Sequence, residues 1–320
     1  MRILVLGGTG FVGRHAAAAL RARGHDVVLG TRRPKRARRN LPEALRSCAL
    51  RETHLESLTT RYVWDPLLAG VDAVLNCVGI LRERGSETWD RVHHMAPAAL
   101  ANACERRGLR LVHVSALGLR RESRSWFLRS KLAGEHRIKA SAADYTIVRP
   151  SLLDGDGGYG ARWLRWFARW PVHFVPADAR GRTAALQVRD LGEALAVLCE
   201  ARGRADLREV ELGGSAARSM AEYLAALRAP SGGRRALRVP VPAILARLVS
   251  HVCDLLHFSP YSYGHLELMR RDNLPAVNLL PALLGRAPAP VGRDLPRMRP
   301  AYAFAAMGTG HETPVPPSPQ

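Results

Sequence analysis

The chain has 320 residues, of which 47% are apolar and 24% are charged, a composition that predicts a globular protein and excludes a disordered one. The formal net charge of +20 comes almost entirely from arginine, because lysine occurs only at Lys35, Lys131 and Lys139. The five cysteines lie far apart without a Cys-x-x-Cys pair, and no apolar run approaches the ~20 residues that span a bilayer. A disulfide framework, a metal site and a membrane-spanning helix are therefore not expected.

The first half of the chain alternates short apolar strands with helical stretches, which is typical of a doubly wound parallel sheet. We predict strands at Ile3–Leu6, Val27–Leu29, Ala49–Leu55, Ala73–Asn76, Arg110–Ser115 and Thr146–Val148. Helices are predicted from Val12 to Gly24, around Thr60–Leu68, near Trp89–Arg107 and from Trp126 to Ala140. The predicted fold class is α/β, a Rossmann-type doubly wound parallel sheet with a smaller C-terminal lobe.

The pattern loosens after Pro150. We predict a loop at Leu153–Gly160, a helix with Trp163, Trp166, Phe167 and Trp170, a helix Leu191–Ala201 capped by Asp190, a strand Glu209–Leu212, and helices at Val241–Phe258 and Leu266–Arg271. Residues 1–150 are expected to form a dinucleotide-binding core completed by 186–213. Residues 151–300 are expected to form a smaller interleaved lobe, and 301–320 a flexible tail.

A glycine-rich motif follows the first predicted strand directly and opens the first helix. Its residues are Gly7, Gly8, Thr9, Gly10, Phe11, Val12 and Gly13. Gly7 allows a tight turn, Gly10 lets the backbone approach a pyrophosphate, and Gly13 permits close packing of the helix on the strand. The helix N-terminus then offers unpaired N–H groups and a positive dipole end. The motif predicts a cradle for the phosphates of NAD(H) or NADP(H).

The end of the second predicted strand carries no acidic residue. An acid at this place binds the adenosine ribose of NAD, whereas Arg32 and Arg33 can bind the 2′-phosphate of NADP through paired N–H bonds. The sequence therefore favours NADP(H) over NAD(H), the alternative being that these arginines face water. The basic run 32–39 around them is a solvated loop, a phosphate clamp or a contact for acidic lipid or another polyanion. Nucleic acid is not expected, because no recognition helix or aromatic platform accompanies the run.

The turn after the fourth predicted strand should also lie against the cofactor. Ligands of open parallel sheets bind at the carboxyl ends of the strands, and Asn76 is followed there by Cys77, Val78 and Gly79. A plain exit turn is the alternative. Cys77 has no base beside it in any motif, so we expect a buried and unreactive thiol.

These motifs, the strand Val112–Ser115, the helix with Lys131 and the segment Val148–Ser151 follow one another in the order of the short-chain dehydrogenase/reductase superfamily. More narrowly, the chain resembles its atypical extended members, typified by the dehydrogenase-like accessory subunit of respiratory complex I and its bacterial relatives. The narrower resemblance rests on four stretches: residues 113–118, 129–135, 211–214 and 270–273. It covers about residues 1–290 and implies a Rossmann fold that binds a nicotinamide dinucleotide.

The resemblance also implies an active site of Ser, Tyr and Lys, with Tyr four residues before Lys on one helix. Here Ser115 and Lys131 fit the pattern, but the tyrosine position is Phe127, which cannot transfer a proton. Lys131 can still bond the nicotinamide ribose, and Pro150 shapes the turn that faces the nicotinamide. The alternative for Lys131 is an ordinary surface lysine, and the alternative for Ser115 is a hydroxyl that hydrogen-bonds to the backbone. After the third strand, members of the family often have an Asp near the adenine. This chain has His54, Leu55 and Glu56 at that position, so we assign no adenine contact to it.

Two classes of function remain open. The first is a cofactor-binding structural, assembly or redox-sensing component linked by the resemblance to respiratory or quinone metabolism, which Phe127 favours. The second is an NADPH-dependent oxidoreductase for a quinone or carbonyl compound, with Lys131, water or a substrate group moving the proton. The expected partners are the dinucleotide and a respiratory or membrane-associated protein.

The remaining features bear on location and packing. Met1–Leu6 is typical of a buried strand and lacks the parts of a secretory signal, which predicts a cytoplasmic protein, with a peripheral place at the inner membrane face as an option. Adjacent His93 and His94 point in different directions on a helix, so they are expected to cap or pack. The Trp163–Trp170 stripe is expected to be core or a lobe interface. Val241–Phe258 is amphipathic, and it either packs on the lobe or docks to a partner or membrane surface.

Overall fold

The computed structural model describes residues 1–231, 235–256 and 259–292. Its strands are, in chain order, β1 (Arg2–Leu6), β2 (Asp26–Thr31), β3 (Ala49–Glu52), β4 (Ala73–Asn76), β5 (Arg110–Val114), β6 (Asp144–Pro150), β7 (Leu153–Asp154), β8 (Val172–Pro176), β9 (Arg182–Thr183), β10 (Leu186–Gln187), β11 (Glu209–Leu212), β12 (Arg218–Ser219) and β13 (Leu237–Val241).

The helices are α1 (Phe11–Ala22), α2 (Pro34–Asn40), α3 (Asp65–Leu68), α4 (Ala96–Arg107), α5 (Trp126–Lys139), α6 (Tyr159–Ala168), α7 (Val188–Glu200), α8 (Met220–Arg228), α9 (Ala243–Leu256), α10 (Tyr263–Met269) and α11 (Leu280–Leu284). A π-helical turn, Asp90–Met95, leads into α4. None of the helices in the described ranges is both long enough and apolar enough to cross a bilayer.

Seven strands form one parallel sheet in the order β11-β6-β5-β4-β1-β2-β3. Both faces are covered, because successive side chains of a strand point to opposite faces and those of β1 are all apolar from Ile3 onward. Ile3 and Val5 pack in a core cluster with α1 and α7, whereas Leu4 and Leu6 pack in a second cluster with Trp64 and α4. The predicted Rossmann-type α/β fold is confirmed.

The segments after β6 build a smaller lobe and also return to the sheet. β11 pairs in parallel with β6 at the sheet edge, while β10 pairs only with the short β7. β8 and β13 form a separate parallel pair, and α6 packs against α8 beside it. The carboxylate of Asp154, which is fully buried, receives two bonds from Arg165 at 2.9 and 3.1 Å, so α6 is fastened to β7.

The structure corrects several predicted elements after Pro150. Asp190 does not cap α7, which begins at Val188; its buried carboxylate instead bonds Arg286 at 2.9 Å and the N–H of Ala289 at 2.6 Å. The helix predicted at Leu266–Arg271 is observed as α10, which begins at Tyr263 and ends at Met269. Helix α2 lies in the basic run 32–39, for which a solvated loop was one of the alternatives. The predicted tail 301–320 and Phe258 lie outside the described residues.

Candidate functional site

A cleft of about 1880 Å³ crosses the carboxyl ends of the strands and continues into the smaller lobe. Thirteen of the residues proposed from sequence as cofactor or catalytic contacts line it, together with Phe127: Gly7, Thr9, Gly10, Phe11, Val12, Arg32, Arg33, Cys77, Val78, Gly79, Ser115, Lys131 and Pro150. Gly8 and Gly13 do not, and they act on the shape of the loop.

The glycine loop is folded so tightly that side chains have no room at two of its positions. Gly7 has a φ of +68°, a conformation that favours glycine. A Cβ on Gly13 would lie 2.2 Å from the carbonyl oxygen of Gly7, and one on Gly8 would lie 2.9 Å from that of Val5. The first turn of α1 therefore packs directly on the backbone that follows β1.

The N-terminus of α1 is suited to an anion. The helix begins at Phe11, with Gly10 as its N-cap, and has no acidic side chain in its first turn. The first N–H groups of a helix lack intrahelical partners and lie at the positive end of its dipole. Gly10 also keeps the approach open, because the nearest atom to a Cβ built there is a single carbonyl oxygen at 3.1 Å. These features fit a dinucleotide pyrophosphate.

The end of β2 presents two arginines and, from another part of the chain, one carboxylate. Arg32 and Arg33 are exposed at the cleft, and the guanidinium of Arg32 forms an ion pair with Glu87. Glu87 belongs to the loop after β4, so inspection of β2 alone could not reveal it. A 2′-phosphate bound at this place would compete with the carboxylate of Glu87 for the guanidinium of Arg32.

The turn after β4 is held by its own side chains. The buried Asn76 accepts a hydrogen bond from the N–H of Val78 at 3.1 Å and lies 3.1 Å from Nδ1 of His113. Burial raises the pKa of the Cys77 thiol, so this cysteine is a poor nucleophile. The turn is therefore rigid, and it presents backbone and Gly79 to the cleft.

The two residues expected at the reaction centre both line the cleft, and neither side chain forms a hydrogen bond to a described residue. The Oγ of Ser115, which follows β5, is buried and has no hydrogen-bond partner among the described residues, so it is not bonded to backbone. Lys131 likewise donates to no described residue, and its Nζ lies 5.9 Å from the centroid of the Phe127 ring. Buried polar groups are normally paired, which indicates that a ligand completes this site.

Burial lowers the pKa of Lys131 to about 8, although the charge of Glu135 opposes the effect. Glu135 is itself engaged, because Arg149 donates two bonds to its Oε2, at 2.6 and 3.1 Å. Arg149 therefore fixes α5 to β6 and does not enter the cleft. The ammonium of Lys131 is desolvated and close to its titration midpoint at neutral pH, which is suited to proton transfer or to donation toward a ribose.

The two histidines of the π-helical turn have different roles. His93 is buried; its Nε2 accepts a bond from the N–H of Ile80 at 3.0 Å, and its Nδ1 lies 3.1 Å from the Oγ of Ser130. Burial lowers the pKa of His93 well below its usual range, so the ring is neutral and joins the turn after β4 to α5. His94 pairs with Asp90 at 2.8 Å on the surface.

Several cleft residues were missed from sequence. Thr53 to Glu56, where no contact was assigned, line the cleft after β3. At the other end, His265 stacks on the Phe127 ring with 6.0 Å between centroids and 27° between planes. Its Nδ1 lies 2.6 Å from the Oγ of Ser262, and burial, with the charge of Arg82, lowers its pKa to about 4. Asn273 also lines the cleft. His265 lies in no local motif, because only the fold of the smaller lobe brings it to α5, whereas Asn273 belongs to the stretch 270–273 that contributed to the resemblance.

The smaller lobe gives the cleft an apolar end. The rings of Trp163, Trp166, Phe167 and Trp170 line it with α9, and Trp166 packs edge to face on Trp163 at 5.3 Å and on Trp170 at 4.8 Å. The tryptophan stripe is therefore a wall of the cleft, and Trp166 and Trp170 are exposed instead of being packed in a core.

A family model described as NAD(P)H-binding matches residues 7–164. This part of the chain, just under half of its length, is similar to the NAD(P)H-binding family. The match begins at Gly7 of the glycine loop and runs through β5, α5 and β6. The resemblance to the extended short-chain dehydrogenases/reductases is confirmed.

Relatives that cover more than half of the chain include a reductase and respiratory subunits. A ceramide reductase of Caulobacter vibrioides is 29% identical over 252 residues, which are 76% of this chain and 75% of that protein. NADH dehydrogenase [ubiquinone] 1 alpha subcomplex subunit 9, mitochondrial, of Rattus norvegicus is 28% identical over 183 residues, 52% of this chain and 44% of that protein. The same subunit of Dictyostelium discoideum is 25% identical over 201 residues, which are 62% of this chain and 55% of that protein. The chain thus spans about half the length of these mitochondrial subunits.

Solved structures share the fold. The NADPH-dependent quinone oxidoreductase QOR2 of Escherichia coli, complexed with NADPH, superposes with a TM-score of 0.69 at 19% identity, covering 91% of this chain and 97% of that one. MoeE5 in complex with UDP-glucose and NAD has a TM-score of 0.63 at 21% identity, covering 91% and 94%. Neighbours with NAD and with NADPH both occur, so the likeness does not discriminate between the two cofactors.

Proposed function

We propose that this chain is an NADP(H)-dependent oxidoreductase that reduces a ketone or quinone group carried by a largely apolar molecule. The observation that supports this most is the extent of the cleft. Sites for drug-sized ligands measure roughly 300–1,000 Å³, whereas this cleft has about 1880 Å³ and continues past Lys131 into aromatic and aliphatic walls. A protein that only held the dinucleotide would not need the additional apolar space.

The residues beside Phe127 divide the work of the reaction. A bound NADPH would supply the hydride for the carbonyl group, and the protein would have to stabilise the negative charge on the carbonyl oxygen and provide its proton. The unpartnered Oγ of Ser115 and the ammonium of Lys131 are available to bond that oxygen. Phe127 contributes an apolar wall and no proton.

His265 is the group that we assign to the place left by the absent phenol. Its ring lies against Phe127, and its low pKa keeps it neutral at neutral pH. When Ser262 donates to Nδ1, Nε2 carries a hydrogen and can bond the developing oxyanion. A neutral imidazole is a weak acid, so we expect slow turnover, with Lys131 as the other proton source.

The relatives agree with this assignment in general terms. One is a reductase named for ceramide, and a structural neighbour is a quinone oxidoreductase complexed with NADPH. Both names refer to a reduction, and ceramide is a lipid. A reducible group on a largely apolar molecule is what this cleft would accept.

We expect kcat/KM for the ketone or quinone, followed through NADPH oxidation, to rise with the length of its alkyl tail. The increase should be up to about fourfold per methylene, because each buried CH₂ contributes about 0.8 kcal/mol. The measurement is kcat/KM for methyl ketones and benzoquinones with alkyl tails of increasing length. Trp163→Ser, in the apolar wall, should flatten the dependence; Tyr62→Ser, an exposed aromatic outside the cleft, should not. Absence of NADPH consumption with every member of both series would contradict the proposal.

NADPH should bind more tightly than NADH, by roughly 10- to 100-fold, since each charge-assisted bond from arginine to the 2′-phosphate is worth about 1.5–3 kcal/mol. Calorimetric titration of both cofactors measures this. Arg32→Ala should weaken NADPH selectively. Arg39→Ala, which makes the same change of charge outside the cleft, should have little effect. Equal affinities in the wild type would remove the phosphate-clamp interpretation.

A second candidate function is a cofactor-binding component without turnover, in the cytoplasm or at the inner face of a membrane. The observation that favours it is Phe127, since the chain otherwise retains the lysine and serine of the site. The mitochondrial relatives, named as subunits of NADH dehydrogenase, are consistent with a respiratory protein partner.

A further inference from the structure

Helix α9 reverses the usual distribution of side chains on a surface helix. Its buried positions are the small residues Ala246, Ser250 and Cys253, which follow one another at intervals of four and three. Its large apolar residues face outward: Ile244 is 85% exposed, Leu255 79% and Leu248 60%. An ordinary surface helix buries its large apolar stripe and exposes polar groups. The outward face of α9 is therefore built for an apolar environment.

This face continues onto other elements around the mouth of the cleft. Leu245 and Val249 of α9 are exposed and also line the cleft, which places them at its edge. Trp166, Trp170 and Phe174 are likewise both exposed and in the lining. We call these residues, with Ile244, Leu248, Val252, Leu255 and Leu256, the apolar rim. Soluble monomers rarely expose contiguous apolar patches larger than a few hundred Å².

The charges around the apolar rim are mostly positive, and the one carboxylate on α9, Asp254, is paired with Arg82. Residues 159–177 and 235–253, which contain almost the whole rim, include no Asp or Glu. They do include arginines that are exposed to solvent, among them Arg169, Arg238 and Arg247. Tryptophan beside an apolar face with flanking arginine is the composition that suits the boundary between lipid headgroups and acyl chains.

We propose that the apolar rim docks onto a lipid leaflet that contains anionic phospholipids, with α9 lying in the interface. The arginines attract the headgroups and the apolar side chains enter the acyl region. A second copy of the chain is a poorer occupant, because it would bring two arginine-bearing surfaces together. The mouth of the cleft would then open toward the acyl chains. Only this last consequence, a route by which an apolar substrate reaches the cleft, depends on the proposed function; docking itself does not.

The test is flotation of the full chain with vesicles of phosphatidylcholine alone and of phosphatidylcholine mixed with phosphatidylglycerol. We expect binding to the mixed vesicles, weaker binding to the neutral ones, and a decrease with added salt. Leu248→Asp combined with Leu255→Asp should weaken binding roughly tenfold or more. Val277→Asp, at an apolar residue that is 68% exposed outside the rim, should bind as the wild type does.

Three results would overturn the proposal. The wild type could fail to float with the mixed vesicles, or the double variant could float as well as Val277→Asp does. Alternatively, the wild type could self-associate in solution, with the double variant monomeric, which would make a second copy the occupant. NADPH titration of every variant, expected to be unchanged, verifies folding and separates a failure of docking from a failure of the proposed function.

Discussion

Replacing Phe127 with Tyr should raise the rate of NADPH-dependent ketone reduction by roughly 10²-fold or more, because a positioned general acid typically contributes 10²–10⁴-fold. The new phenol would stand on the cleft wall, on the same helix as Lys131 and one turn before it. The lysine charge favours the phenolate and so lowers the phenol pKa from about 10 toward neutrality. The variant would thereby complete a site in which Ser115 and Lys131 are already unpartnered.

Single-turnover measurements of NADPH oxidation, with cofactor affinity determined separately, isolate this effect on the proton. Phe167→Tyr is the matched control, since it adds the same hydroxyl elsewhere in the cleft lining and should leave the rate unchanged. A wild type that already turns over rapidly, and gains nothing from the phenol, would show that another group supplies the proton. In that case His265→Phe should abolish the activity.

Replacing Lys131 with Met should stabilise the folded protein by roughly 3 kcal/mol at neutral pH while weakening its function. The folded-state pKa of Lys131 is lowered to about 8 from an ordinary value of 10.5. Below pH 8 the lysine is charged in both states, and the folded state carries the full cost of desolvating it. Between pH 8 and 10.5 the folded form loses its proton first, so the cost disappears as the pH rises.

Urea unfolding of both proteins at about pH 7 and about pH 10 measures the difference and its pH dependence. The advantage of the Met variant should be large at the lower pH and nearly absent at the higher one. Lys139→Met serves as the control, because Lys139 lies on the same helix but is only partly buried and pairs with Glu209 at 2.7 Å. Equal stability of wild type and the Met variant across this range would show that the ammonium of Lys131 is well solvated.

The sheet and the glycine loop could be predicted from the sequence because both depend on local patterns. Four-residue apolar strands and a glycine motif between a strand and a helix are visible within a short window, and β4 and β11 have the predicted bounds. The fold then follows from the rule that parallel strands alternate with helices. The direction of Ser115 and Lys131 toward one cleft follows from the same rule, since both lie at the carboxyl edge of the sheet.

What the sequence could not show are contacts made between distant segments. The pairing of Arg32 with Glu87 and the stacking of His265 on Phe127 depend on how loops and the smaller lobe fold back over the sheet. The periodicity of Trp163 to Trp170 indicates a helix face, but it does not tell whether that face meets a core or a cleft. Asp190 was predicted to cap a helix from its position before the helical pattern. Its actual partners, Arg286 and Ala289, lie almost a hundred residues later and could not be seen locally.

Arg82 joins the cofactor side of the molecule to the helix that carries the apolar rim. It follows the turn after β4, forms an ion pair with Asp254 of α9, and donates hydrogen bonds to the carbonyl oxygens of Cys253, Ser259 and Tyr261. Its Nη1 faces the carboxylate of Asp254 and its Nη2 faces the three carbonyl oxygens, so one guanidinium contacts all of these acceptors. The end of α9 therefore cannot open without releasing the loop after β4, so both should exchange their amide hydrogens as one cooperative unit.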